Sequence, residues 1–151
     1  MPTVQRDIVF VLIQFVFFTL YFLNLNVVEI QFPVWTAVIS IVFSLLGVVI
    51  ILFGIINLND NITPFPTPRK NSSLISKGIY AYVRHPIYAG ILVLMFSYAF
   101  FSDSIFRLVI SLLLGFIFYF KSNLEERLLV QRFPEYNRYR KTTGRFFPKW
   151  K

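Results

Sequence analysis

From Val34 to Ile56 the chain carries no charged side chain. A run of that length can cross the hydrocarbon core of a bilayer as a helix, which takes about 20 apolar residues. Inside lipid every backbone N–H and C=O needs a partner from the protein itself, so such a run must be helical rather than irregular. Further apolar runs follow the same pattern over residues 8–28, 87–101 and 105–122. Gln14, Thr19, Asn24 and Asn26 interrupt the first and are expected to face other helices or the interface. That run is too long for a signal peptide's apolar region, follows Asp7 and lacks a small-residue cleavage site, so it reads as a retained helix. The run over 87–101 is short for a full crossing and suits a tilted or sheltered helix.

The expected fold is an all-α integral membrane protein with about four transmembrane helices, a C-terminal helical hairpin and a cytoplasmic amphipathic extension. It forms one membrane domain over residues 1–151. Composition agrees: 56% of residues are hydrophobic, 19 are phenylalanine and only 15% are charged, which is too apolar for a soluble domain. The net charge of +8 comes from residues that flank the apolar runs, so the partner it implies is a membrane surface and not nucleic acid. Cysteine is absent and histidine occurs once, which excludes disulfides, thiolate or multi-histidine metal sites and cysteine nucleophiles.

Within the runs, Trp35 sits at an interface-like position, and Ser40, Ser44, Gly47 and Gly54 allow a neighbouring helix to come close. The turn over 29–33 holds no Lys or Arg and the turn over 102–107 holds only Arg107. The 57–86 loop holds Arg69, Lys70, Lys77 and Arg84, and the C-terminal tail is strongly basic. The positive-inside rule therefore places both, and the N-terminus, on the cytoplasmic side of a bacterial-type inner membrane or an ER-type membrane. Pro64, Pro66 and Pro68 keep the 57–76 segment extended, either as a lid or as a plain connector. The last run meets no helix breaker before Pro134, so its helix continues past the membrane with Leu124, Leu128 and Leu129 on one side.

The residues that carry chemistry lie at the ends of these runs. Pro86 suits the first position of a helix, and the residue before a proline is pushed out of the α region, so His85 ends an extended segment. Arg84, His85 and the first free helical amides then make a site for a small anion. An antiparallel hairpin of the last two membrane helices brings that site near Glu125 and Glu126. Adjacent helical residues point about 100° apart, so the two glutamates are expected to do different work. A cationic end facing an acidic end suits a zwitterion, each charge pair being worth ~4 kcal/mol before desolvation. Interfacial pairing of the glutamates with Arg127 or Lys121 is the competing reading.

The segment Gly78-Ile-Tyr-Ala-Tyr-Val-Arg-His-Pro-Ile-Tyr-Ala-Gly90, then Glu125-Glu126, Phe133-Pro-Glu-Tyr-Asn-Arg-Tyr139 and Arg145-Phe-Phe-Pro148, resembles the isoprenylcysteine carboxyl methyltransferases and the related phospholipid N-methyltransferases. The resemblance covers residues 63–148. It implies a membrane-embedded enzyme using S-adenosylmethionine, by in-line methyl transfer to a lipophilic acceptor such as an isoprenylcysteine-like carboxylate or a lipid headgroup. It implies cofactor contacts at Tyr80, Arg84, His85, Tyr88, Gly90, Glu125 and Glu126, and catalytic roles for His85, Tyr139 and Arg145, with Tyr136 also matching the tail motif. A gap between helices near Tyr88 and Tyr119 would admit the acceptor. The alternatives are a non-catalytic lipid-binding or assembly protein of the same fold, and a sterol-reductase-like enzyme using a nicotinamide cofactor. The second fits less well, because its usual cysteine is missing.

Overall fold

The computed structural model describes residues 3–23, 25, 30–68 and 72–149. Asn24, Asn26, Glu29, Arg69 and Lys70, to which the sequence assigns turn or interface positions, lie outside them. Five helices carry the fold: α1 (Thr3–Phe22), α2 (Val34–Leu58), α3 (Pro86–Phe101), α4 (Ile105–Arg132) and α5 (Tyr136–Thr142). Three of them, α1, α2 and α4, are long and apolar enough to cross a membrane; α3 is apolar but has only 16 residues. Of the about four crossings expected, three correspond to helices of full length and the fourth to this shorter apolar helix. The first helix ends at Phe22, short of the expected 28, and α4 runs unbroken to Arg132 before Pro134.

The helices pack in the order α2, α3, α4, α1. The α3–α4 hairpin is present, but α3 makes its most extensive contact with α2. That contact is backbone on backbone. Along α2 the buried positions are Ser40, Gly47 and Gly54, seven residues apart, while most of its large apolar side chains face outward. A Cβ added to Gly90 would lie 2.8 Å from the Gly47 carbonyl, and one added to Gly54 would lie 2.7 Å from Ile87 Cγ1. Lipid tails are as apolar as leucine, so close approach of small residues, rather than burial from water, holds such helices together. Gly90, expected from the resemblance at the cofactor, serves this seam.

On the other side, Tyr21 of α1, Met95 of α3 and Ile110, Leu114 and Phe118 of α4 form a buried cluster. The Tyr21 hydroxyl donates to the Met95 carbonyl. Nearer the start of α1, Lys121 Nζ of α4 donates to Gln14 Oε1 at 2.8 Å, so α1 is tied to α4 by a polar pair whose lysine is almost wholly buried.

Gly90→Leu should therefore separate α2 from α3 and lower stability by about 1–3 kcal/mol, the usual cost of overpacking. Thermal unfolding in detergent measures this, with Leu45→Ala on the outward face of α2 as the control that changes little.

Candidate active site

Pro86 is the first residue of α3, and His85 before it has φ −126° and ψ 63°, outside the helical region. The segment leading to it starts with Gly78 at φ +60°, where the side chain of Asn57 occupies the space a Cβ would take. Asn57 Oδ1 accepts from the Ile79 amide at 3.0 Å, which fixes the short 3-10 turn over 78–81 against the end of α2. Residues 83–85 then pair with the tail. Val83 and Gly144 form a parallel bridge, the Arg84 amide donates to the Gly144 carbonyl at 2.9 Å, and the His85 amide donates to the Arg145 carbonyl at 3.0 Å.

This pairing brings three cations to one carboxylate. Glu126 Oε1 lies 2.9 Å from Arg84 Nη2, 3.1 Å from His85 Nε2 and 3.3 Å from Arg145 Nε. Arg84 is used up further: its Nη1 donates to the carbonyls of Arg140 and Thr143. The guanidinium expected at an open anion site is thus an internal strut between α4 and the tail. Neither Arg127 nor Lys121 forms an ion pair with the two glutamates among the described residues.

Glu125 points elsewhere, as the helical spacing requires. It accepts the Tyr88 hydroxyl proton and lies 3.3 Å from His85 Nδ1. Tyr88 is sandwiched between the His85 imidazole, 5.6 Å away and parallel, and the Phe118 ring at 4.5 Å. Burial by itself draws the His85 imidazole toward its neutral form, but the hydrogen bonds and charges of Glu125 and Glu126 outweigh it and hold its pKa above the ordinary histidine value. Both ring nitrogens face carboxylates, and only the imidazolium satisfies both.

A cavity of about 420 Å³ opens beside this cluster. Tyr80, His85, Tyr88, Glu125, Tyr136 and Tyr139 bring polar groups to it, and Lys121 and Gln14 reach it from deeper in the bundle. Ile55, Leu58, Ile87 and Ile91 give it an apolar wall. The proline segment, including Pro64, Phe65 and Pro66, lies along its rim, so that stretch contacts the cavity and is no mere connector. The Thr67 amide ties the segment down by donating to Asp7 Oδ2 at 3.2 Å. Pro134 ends α4, and α5 places Tyr136 and Tyr139 one turn apart. Tyr139 donates to the Tyr80 carbonyl, whereas the Tyr136 hydroxyl is buried without a partner. Burial pushes the pKa of Tyr80, Tyr136 and Tyr139 up, so all three keep their protons.

Of the residues the sequence singles out, Tyr80, Arg84, His85, Tyr88, Glu125 and Tyr139 line this cavity, while Glu126 and Arg145 line a different one. The Arg145 guanidinium lies 4.9 Å from the centre of the Tyr119 ring, and Tyr119 is no part of the first cavity's wall. Sequence reasoning passed over Lys121, Gln14 and Asn57 as site-building groups. The conjunction of a buried-span lysine with a glutamine in another span was the available signal.

A family model for phospholipid methyltransferases matches residues 35–136, well over half of the chain. The match includes Tyr80, Arg84, His85, Tyr88, Glu125 and Glu126 and ends at Tyr136, so Tyr139 and Arg145 lie beyond it. No curated protein matches the chain.

Glu126→Gln keeps the shape and removes the charge that three cations share. Breaking a buried pair from one side costs about 3–5 kcal/mol, and thermal unfolding in detergent should show a loss of that order. The His85 pKa is raised in the folded state, so its stabilisation is complete below the unfolded value of about 6.5 and is lost as pH rises through the folded value. The melting temperature of the wild type should fall over that window, and that of His85→Gln should fall less.

Proposed function

The chain belongs to the phospholipid methyltransferase family, and from that premise we propose that it uses S-adenosylmethionine to methylate a lipophilic acceptor at the cavity between α3, α4 and α5. The observation that carries the reading is the mixed wall of that cavity. Glu125, His85 and four tyrosines meet on one side and membrane-helix isoleucines on the other, with the buried Tyr136 hydroxyl still lacking an acceptor. An unpaired buried donor costs about 1–3 kcal/mol, which a ligand acceptor offsets. S-adenosylmethionine supplies, when bound, an electrophilic methyl group on a sulfonium sulfur.

On this reading Arg84 and Glu126 frame the site and do not meet the cofactor directly. Glu125 offers carboxylate oxygens to an ammonium group, and the free amides of Ile87 and Tyr88 at the start of α3 favour a carboxylate. Tyr136 donates from the tail side, while the Tyr139 hydroxyl, its proton given to the Tyr80 carbonyl, offers only its oxygen. Catalysis rests on alignment and exclusion of water under the proline segment rather than on a strong base. His85, held as an imidazolium, positions Glu125 and Tyr88 and takes up no proton. For a carboxylate acceptor no proton needs to leave; for an amine acceptor Glu125 is the carboxylate within the cavity able to take it.

The same proposal includes one membrane domain with residues 63–148 as its cofactor-binding half, termini and site on the cytoplasmic side, and entry of the acceptor past the isoleucine wall. Lateral access fits a substrate dissolved in the bilayer. Arg145 would then act on the acceptor only from the far side of Glu126, which makes it a positioning residue.

Calorimetric titration of detergent-purified protein with S-adenosylmethionine tests the proposal. One-to-one binding is expected, weakened roughly tenfold by Tyr136→Phe, or ~1.4 kcal/mol. The melting temperature should hold, because that hydroxyl makes no internal hydrogen bond. Glu125→Gln should weaken binding further. A well-folded wild type that binds none of the cofactor overturns the reading, and binding of a nicotinamide dinucleotide in its place would redirect it to a reductase.

A further inference from the structure

A second cavity, of about 520 Å³, lies on the other side of Glu126. It is lined by Arg6 of α1, Arg127 of α4, Arg140 of α5 and Arg145 of the tail, with Phe10 and Phe120. Glu126 is its acidic residue, and that carboxylate is already shared by Arg84, His85 and Arg145. Among the described residues, Arg6, Arg127 and Arg140 have no ion-pair partner. Two guanidinium donors, Arg6 Nε and Arg145 Nη1, are buried with no hydrogen-bond acceptor. Four converging arginines and two unanswered buried donors make a site short of an anion.

The apolar lining tells what kind of anion. Phe10 lies one helical turn along α1 from Arg6, and Phe120 lies about two turns back along α4 from Arg127. Both steps lead toward the middle of the spans, where Gln14 of α1 meets Lys121 of α4. Cations at the rim and phenylalanines deeper match a molecule whose charged head continues into an acyl chain. Arginine forks pair with phosphate oxygens in a bidentate way, and the cavity's one carboxylate, Glu126, leaves Arg6, Arg127 and Arg140 open to do so.

We propose that this arginine-lined cavity binds the phosphate of an anionic phospholipid, at a place separate from the methyl-transfer cavity. The lipid supplies the acceptors that Arg6 and Arg145 lack. Because Arg145 also contacts Glu126, a bound phosphate shares that arginine with the central carboxylate and so bears on the frame of the first cavity.

The test is titration of full-length protein in an uncharged detergent with dihexanoyl phosphatidylglycerol, without S-adenosylmethionine, so that its result is independent of the cofactor assignment. Saturable one-to-one binding is expected, weakened roughly tenfold or more in Arg6→Gln/Arg127→Gln. Arg127→Gln alone removes an exposed arginine with no ion-pair partner, so it should weaken binding at an unchanged melting temperature, even if the double variant folds poorly. Inorganic phosphate in the same titration should bind at least about tenfold more weakly than the lipid. Inorganic phosphate binding as tightly would show a free-anion site and overturn the lipid assignment. Non-saturable binding, or equal affinity in Arg127→Gln, would reduce the arginines to a basic surface and overturn the proposal altogether.

Discussion

A single carboxylate, that of Glu126, ties together the entrance of α3, the C-terminal part of α4 and the tail, which are far apart in sequence. It is almost completely buried, and a buried charge is tolerated only when countercharges and hydrogen bonds answer it. Arg84 and His85 come from the entrance of α3, and Arg145 comes from the tail. The bridge between Val83 and Gly144 keeps those two strands of chain in register, so the ion cluster and the backbone pairing support each other. Loss of either would release α5, and with it the tyrosines that close the first cavity. The adjacent Glu125 takes no part in that cluster of arginines and lines the first cavity beside Tyr88 and His85.

Much of this was legible from local rules. The rule for proline at a helix start placed α3 at Pro86, the lack of a breaker carried α4 to Arg132, and helical spacing gave Glu125 and Glu126 separate tasks. Ser40, Gly47 and Gly54 announced a close helix contact, though not that the partner would be α3. What stayed hidden depends on contacts between distant segments. Nothing near Arg84 in the sequence says that its guanidinium will be consumed by Glu126 and two tail carbonyls, so it read as an open anion site. Nothing local says that α1 packs on α4, with Gln14 answering Lys121. Gly90 was assigned to the cofactor by motif, yet its contact with Gly47 shows a steric role that only the helix pairing reveals.

The seam between α2 and α3 has a consequence for function. It fixes the end of α2 beside the entrance of α3, where Asn57 fills the space next to Gly78 and Tyr80 donates to the Gly54 carbonyl. The helix that carries the apolar wall of the cavity is therefore registered to the turn that carries its polar wall. The proposed function needs that registration, because on it a lipophilic acceptor and a charged cofactor approach one site from different solvents. Small residues in the seam set it without adding polar groups inside the lipid.

The charge state of His85 decides what chemistry the first cavity favours. With Nε2 against Glu126 and Nδ1 against Glu125, a neutral ring would turn one lone pair toward a carboxylate, whereas the imidazolium donates to both. A group held in that form is a poor proton acceptor, even though it is the histidine of the motif. On the proposed function, the acceptor then arrives already nucleophilic or surrenders its proton to Glu125. Glu125 in turn accepts a hydrogen bond from Tyr88 and is flanked by His85. On the proposed function, one cation and one neutral donor thus engage the carboxylate that faces the cavity, and selectivity is left to the shape of the isoleucine wall.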